Sequence, residues 1–206
     1  MNQLLWLNAL TAIGMSTCVF TGQIKMIWNI WGMELIFPAS NIVFALLTFP
    51  VTDLIADVFG KKEANRTVWI GFISQLLTIS IIELCMLLPG ESSALAPFHV
   101  GGWLVFVGSS IAYLVAQFWD VYIFHWIKEN WTGDKHLWIR NNVSTCSSQL
   151  INSTIFLFFV FGWEGLTGML AASMAVKWTI ALIDTPFVYL GRGLLKSQIS
   201  YNQSYI

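Results

Sequence analysis

Long apolar runs divide the chain into segments of the length that a lipid bilayer requires. A membrane-spanning helix needs about 20 mostly apolar residues, and six stretches meet that requirement. We therefore predict an all-α integral membrane protein with six transmembrane helices in a single domain, residues 1–206. The predicted spans cover approximately residues 2–22, 34–56, 66–88, 100–127, 143–162 and 165–190.

The fifth predicted span is the least apolar, because the sequence at its start is RNNVSTCSSQLINST. Such a helix must turn its polar side toward other helices or a watery cavity. Its main polar residues, spaced by three, four and three positions, share one helix face and are Asn142, Thr145, Gln149 and Asn152. Isolated amides can simply join helices by hydrogen bonds, whereas a stripe of four favours the lining of a cavity.

Composition strengthens the membrane interpretation and excludes several function classes. Only 10 % of the residues are charged, against about 25 % in soluble domains. The net charge of −1 provides no excess of positive charge of the kind that binds nucleic acid. No Gly-rich phosphate loop and no zinc-like Cys/His spacing is present. We expect the lipid bilayer as a partner, and no nucleic acid, metal or cofactor.

The distribution of basic residues predicts the orientation. With six spans, most Lys and Arg residues fall on the side that holds both termini, and only Lys25 falls in a loop on the other side. The positive-inside rule then places both termini in the cytoplasm of a multi-pass protein of the cytoplasmic (inner) membrane. All connections are short, so we expect no nucleotide-hydrolysing module, and any energy would come from an ion gradient, a separate energising partner or metabolic trapping. Formation of a homodimer is left open.

Two acidic residues lie near the cytoplasmic end of the second predicted span. A charge inside a span costs about 2.5–3.5 kcal/mol on insertion scales, which makes it a functional candidate. Asp53 and Asp57 are four residues apart and share a helix face. The alternative is an ion pair with Lys61, Lys62 or Arg66, and this alternative is stronger for Asp57 than for the deeper Asp53.

The fourth and sixth predicted spans carry further candidates. Gln117 and Asp120 are three residues apart on one face, and Trp119 beside them is either an interfacial anchor or a stacking platform. Lys177 and Asp184 are seven residues apart, or about 10.5 Å along a helix, so each needs a partner on another helix.

Together these residues indicate a pocket rich in acceptors and amides, with aromatic neighbours and one buried cation. Such a pocket suits a flat, polar solute. Carboxylates accept hydrogen bonds from paired N–H donors, and amides bind solute edges that carry both donors and acceptors. A sugar is also compatible. An intramembrane enzyme is less favoured, since the histidines at 99, 125 and 136 fall at or beyond span ends and no catalytic motif is present. We therefore predict no catalytic residue.

Four segments resemble the queuosine precursor transporter family, also called the vitamin uptake transporter family. In chain order they are TFPVTDLIADVFGKKEANR, AQFWDVYIF, RNNVSTCSSQLINSTIFLFF and KWTIALIDTPFVYL. The resemblance implies a six-helix importer of 7-deazaguanine bases for queuosine in tRNA: 7-cyano-7-deazaguanine, 7-aminomethyl-7-deazaguanine or queuine. It also implies a fold akin to the substrate-binding subunits of energy-coupling-factor transporters. A carrier for another vitamin or nucleobase is the alternative.

The resemblance also suggests roles for the site residues. A 7-deazaguanine offers N1–H and an exocyclic amine side by side, and one carboxylate can accept both. The family commonly has Glu at the position of Asp57 and Asp at the position of Asn152. Asp57 is a gate or ion-pair candidate. The predicted substrate-binding residues are Asp53, Gln117, Trp119, Asp120, Asn142, Thr145, Gln149, Asn152, Lys177 and Asp184.

Overall fold

The computed structural model describes residues 2–22, 24–30, 33–88 and 103–203. Most of these residues are helical, in the elements α1 Asn2–Thr21, α2 Ser40–Val43, α3 Phe49–Val58, α4 Lys61–Leu87, α5 Trp103–Ile127 and α6 Leu137–Gln203. Two strands, β1 Lys25–Ile30 and β2 Met33–Pro38, pair antiparallel between α1 and α2. Two π-helical segments, Phe44–Thr48 and Lys128–Thr132, follow α2 and α5.

The prediction of a helical membrane-spanning protein is confirmed. Within the described ranges, five helical segments are long and apolar enough to cross a bilayer: Gln3–Thr21, Ser40–Val58, Lys61–Leu87, Val107–Thr132 and Leu137–Ser197. The fifth and sixth predicted spans both fall within α6. Residues 100–102 of the fourth predicted span lie outside the described residues.

The long helix α6 folds back on itself. Its 67 residues would extend about 100 Å if straight, roughly three times the thickness of a hydrocarbon core. Gly162 interrupts it with non-helical backbone angles, φ 68° and ψ −164°. Hydrogen bonds join the segment before Gly162 to the segment after it. Lys177 donates to Asn152 near the break, and the backbone N–H of Trp138 donates to the hydroxyl of Tyr189 farther from it. Residues 137–161 and 163–203 are thus two antiparallel arms, the first arm and the second arm.

The helix over Ser40–Val58 is the central element of the bundle. It is 72 % buried, against 28 % for Gln3–Thr21 and 22 % for Lys61–Leu87. Pro50 lies near its middle, and a proline ring would clash with the carbonyl four residues earlier in a regular α-helix. The π-helical segment Phe44–Thr48 accommodates Pro50 by widening the preceding turn. The central helix carries both Asp53 and Asp57.

A β-hairpin replaces the predicted helix start near residue 34. Residues before a proline are biased toward extended backbone, and β2 runs up to Pro38, opposite Lys25 in β1. Phe37 is fully buried and meets Trp28 edge to face at 5.0 Å. The Nζ atom of Lys25 lies 5.1 Å from the ring centre of Phe161. The hairpin therefore packs at the end of the bundle where α6 turns.

Gly162→Ala should lower the free energy of unfolding by about 1–3 kcal/mol, because its backbone angles are open essentially only to glycine. No atom lies within 4 Å of a Cβ at this position, so the cost comes from the backbone alone. Gly168→Ala on the second arm is the matched control, since it also meets open space and is helical. It should be neutral or stabilising by about 0.5–1 kcal/mol. Equal thermal unfolding midpoints in detergent would contradict the prediction.

Candidate functional site

A buried polar cluster lies where α3, α5 and the first arm meet. Asp53 and Asp120 are 1 % and 0 % exposed, and their carboxyl groups lie within hydrogen-bonding reach of each other. We refer to these two residues as the carboxylate pair. Thr145 Oγ1 donates to Asp53 Oδ2 at 3.0 Å, and Ser148 Oγ donates to Asp120 Oδ1 at 2.9 Å. The first arm therefore holds each member of the pair by one hydroxyl group.

Helical spacing explains how the sequence builds this cluster. Gln117 and Asp120 are one turn apart on α5, and both are fully buried. Thr145, Ser148 and Gln149 lie within one turn of the first arm and are also buried. The predicted polar stripe thus turns inward, toward α3 and α5.

Apart from the contact between the two carboxyl groups, several polar atoms of the cluster have no hydrogen-bond partner within the described part of the chain. These atoms are Asp53 Oδ1, Asp120 Oδ2 and both side-chain amide atoms of Gln117 and Gln149. Burying an unpaired polar atom is costly, and nearly all such atoms in folded proteins find a partner. Carboxylate oxygens accept N–H groups, while amides both donate and accept. The cluster can therefore bind a solute with N–H donors on one edge and mixed groups on another.

Other predicted site residues lie between the two arms of α6. Asn142 Nδ2 donates to Thr185 Oγ1 at 3.0 Å. Lys177 Nζ donates to Asn152 Oδ1 at 3.2 Å and to Ser153 Oγ at 2.9 Å. Lys177 thus contacts neutral side chains, and no ion pair joins it to an aspartate among the described residues.

Asp184 and Trp119 stand apart from these contacts. Asp184 is 6 % exposed, and its Oδ1 atom has no hydrogen-bond partner in the described ranges. Trp119 is 40 % exposed and donates from Nε1 to Ser147 Oγ at 3.1 Å. Adjacent helical residues point about 100° apart, so the face that buries Asp120 turns Trp119 outward. The structure does not bring Trp119 to the carboxylate pair.

Asp57, near the C-terminal end of α3, is the centre of an ion-pair network. Its carboxylate pairs with Arg140, with Arg192 Nε at 2.7 Å and with Lys128 Nζ at 3.5 Å. Arg140 is fully buried and also donates to the carbonyl of Gly133 at 2.7 Å. We call Asp57, Lys128, Arg140 and Arg192 the Asp57 network.

The ion-pair partners of Asp57 differ from those that the sequence suggested. Arg66 pairs with Glu63 at 2.6 Å, and Lys61 lies over the ring of Tyr122 at 5.3 Å from its centre. The nearest basic residues along the chain continue on α4, away from the end of α3. The true partners lie far along the sequence, where local spacing gives no signal.

Sequence reasoning also missed two amides that line a small cavity beside Lys177. Asn41 and Gln75 are 5 % and 6 % exposed. Each is a single amide close to apolar residues, without the repeated spacing that marked the stripe. A lone polar residue in an apolar helix was the available signal.

An apolar exterior, membrane-length helices and a buried polar cluster define a multi-pass α-helical membrane protein with an internal polar site. The chain belongs to the family described as "Putative vitamin uptake transporter", which matches residues 38–191. The family is one of transporters.

Two curated relatives match nearly the whole chain. One, from Bacillus subtilis (strain 168), is named "Probable queuosine precursor transporter" and is 28 % identical over 193 residues, covering 89 % of this chain and 82 % of the relative. The other, from Escherichia coli (strain K12), is named "Queuosine precursor transporter" and is 25 % identical over 190 residues, covering 91 % and 80 %. No solved structure matches the chain.

Asp57→Asn should destabilise the protein by about 3–5 kcal/mol, because removing one partner of a buried pair leaves the other charge uncompensated. Arg140 is the charge left buried. Glu63→Gln is the matched control, since it makes the same change in a pair whose Arg66 side chain is 61 % exposed. Its expected effect is about 0–1 kcal/mol. Thermal unfolding in detergent compares the two variants, and similar losses would show that the Asp57 network does not hold the fold together.

Proposed function

We propose that the chain imports queuosine precursors across the cytoplasmic (inner) membrane. The observation that carries this proposal is the buried carboxylate pair with its unpaired acceptor atoms, Asp53 Oδ1 and Asp120 Oδ2. The names of two relatives that align with 89 % and 91 % of the chain support the same cargo. The cargo would be 7-cyano-7-deazaguanine, 7-aminomethyl-7-deazaguanine or queuine.

The chemistry of the cluster suits such a base. A 7-deazaguanine presents N1–H and an exocyclic amine as adjacent donors, and the carboxylate pair supplies acceptors for both. The amides of Gln117 and Gln149 would bind the carbonyl and ring-nitrogen edges. A site built to accept N–H groups rejects analogues that lack them, because its buried acceptors would then be left unpaired.

We propose further that the two arms of α6 cross the membrane separately, which gives six crossings with both termini in the cytoplasm. The Asp57 network gathers three basic residues at one end of the bundle. At the opposite end, Lys25 lies on the β-hairpin. This asymmetry follows the positive-inside rule.

The Asp57 network is our candidate for the cytoplasmic gate. It joins the end of α3 to the connection before α6 and to the second arm. A groove of about 410 Å³, lined by Lys61, Lys128 and Asp134 among others, lies beside it. Release of a base into this groove would require the ion pairs to separate, as in gated transporters that rock around a fixed site.

Expression of the chain in cells unable to make queuosine precursors should restore queuosine in tRNA when a base is supplied at low concentration. Queuosine in purified tRNA is the measurement, and cells with an empty vector are the control. Competition among deazapurines, guanine and water-soluble vitamins would then rank the cargo. Failure of rescue with all three precursors would overturn the proposal.

Asp53→Asn and Gln149→Ala should each reduce uptake of the base by more than tenfold, while the protein still inserts in the membrane. A hydrogen bond to the charged Asp53 contributes about 1.5–3 kcal/mol, and a buried polar group of the base left without Gln149 costs about 1–3 kcal/mol, enough for such a loss. Glu164→Gln is the matched control, because it makes the same acid-to-amide change in an exposed side chain outside the cluster. Normal uptake in both variants would place the site elsewhere.

A further inference from the structure

A second polar region lies closer to the β-hairpin than the carboxylate pair does. A cavity of about 40 Å³ is enclosed there by α1, α2, α4, α5 and both arms of α6. Gly22 and Ser40, which flank the hairpin in sequence, form part of its wall. We call this cavity the hairpin-side chamber. Its polar and aromatic lining includes Asn41, Phe44, Gln75, Tyr113, Asn152 and Lys177.

The chamber contains one unpaired donor and one unpaired acceptor. Asn41 Nδ2 and Gln75 Oε1 are buried and have no hydrogen-bond partner among the described residues. Amides that merely join helices would bond to each other or to neighbouring groups. One unpaired donor atom and one unpaired acceptor atom in the same cavity indicate a surface that binds something else.

The remaining walls suit a flat heterocycle. Phe44 and Tyr113 meet edge to face, with ring centres 6.0 Å apart, and aromatic faces stack on planar rings. Lys177 Nζ lies 5.7 Å from the ring centre of Phe44 and is held by Asn152 and Ser153. The amine of Lys177 therefore adds a fixed donor beside the aromatic wall.

The chamber adjoins the carboxylate pair through two elements. Asn152 lies one turn beyond Gln149 on the first arm. Phe44 begins the π-helical segment that continues into α3 and Asp53. The described cavity is smaller than a typical ligand pocket of about 300 Å³ or more, so a base enters only when these walls move apart.

We propose that the hairpin-side chamber is a second solute subsite, which binds the lactam edge of a heterocyclic base before the base reaches the carboxylate pair. The lactam C=O accepts from Asn41 Nδ2, and the adjacent N–H donates to Gln75 Oε1. Asn41 and Gln75 are thereby specificity-determining residues. This inference rests on the proposed transport of a deazapurine.

The test measures equilibrium binding to the purified full-length protein by calorimetry with two probes. One probe is 7-cyano-7-deazaguanine, which has the lactam. The other is its 6-amino analogue, in which an amine replaces the C=O and N1–H is lost. The wild type should bind the lactam base more tightly, and Asn41→Leu or Gln75→Leu should reduce this preference at least tenfold. Asn41→Asp replaces the donor by an acceptor and should shift preference toward the 6-amino base.

A double variant, Ser16→Ala with Thr78→Ala, is the matched control. These two hydroxyls bond to each other between α1 and α4 at 2.9 Å and do not line the chamber. The control should leave the preference unchanged. Asn41 and Gln75 lie on different helices, so the two substitutions test the chamber independently if one variant fails to fold, as judged by size-exclusion chromatography.

The outcomes separate this inference from the proposed function. If the Asn41 and Gln75 variants bind both probes more weakly by the same factor, or keep the wild-type preference, the subsite proposal is wrong. Rescue of queuosine in cells would still support the proposed function in that case. Absence of both binding and rescue in the wild type would instead overturn the proposed function. Loss of preference confined to the chamber variants supports the subsite.

Discussion

The ion pair between Asp57 and Arg140 fixes the position of the first arm, and the polar interior depends on it. Arg140 also lies over the ring of Phe124, 5.2 Å from its centre, so the same side chain contacts α3 and α5. About one turn farther along the first arm, Thr145 reaches Asp53. These two contacts set the antiparallel register of the first arm against α3, and thereby the place of every residue in the polar stripe.

Two aspartates one turn apart on α3 consequently differ in what surrounds them. Asp57 is surrounded by three basic side chains, whereas Asp53 meets a hydroxyl and a second carboxyl group. A carboxylate in three ion pairs is neutralised by its own neighbours and joins the elements that carry them. A carboxyl group with an unpaired oxygen keeps its capacity to bind a solute. The central helix thus combines an anchoring end with a binding middle.

The sequence predicted those parts of the structure that local spacing determines. Thr145 and Gln149 lie inside the protein because their spacing follows one helix face, and the apolar helices follow from length and hydropathy. Spacing cannot choose partners between helices, so the partner of Asp57, 83 residues away at Arg140, was missed. Trp119 is a different case, since the 100° rotation between adjacent helical residues already turns it away from the face of Asp120. The strand β2 was missed because its apolar residues continued the run of the next helix, and β1 fell in the loop predicted between the first two spans.

The turn at Gly162 also bears on how the polar stripe enters a membrane. Alone in hydrocarbon, the first arm would expose its amides and hydroxyls to lipid, at a cost of several kcal/mol. Docked on the second arm, Asn142 and Asn152 already have partners in Thr185 and Lys177. Since a single residue separates the arms, these partners are available as soon as the second arm is made. The helical hairpin, and not the single helix, is therefore the favourable unit of insertion.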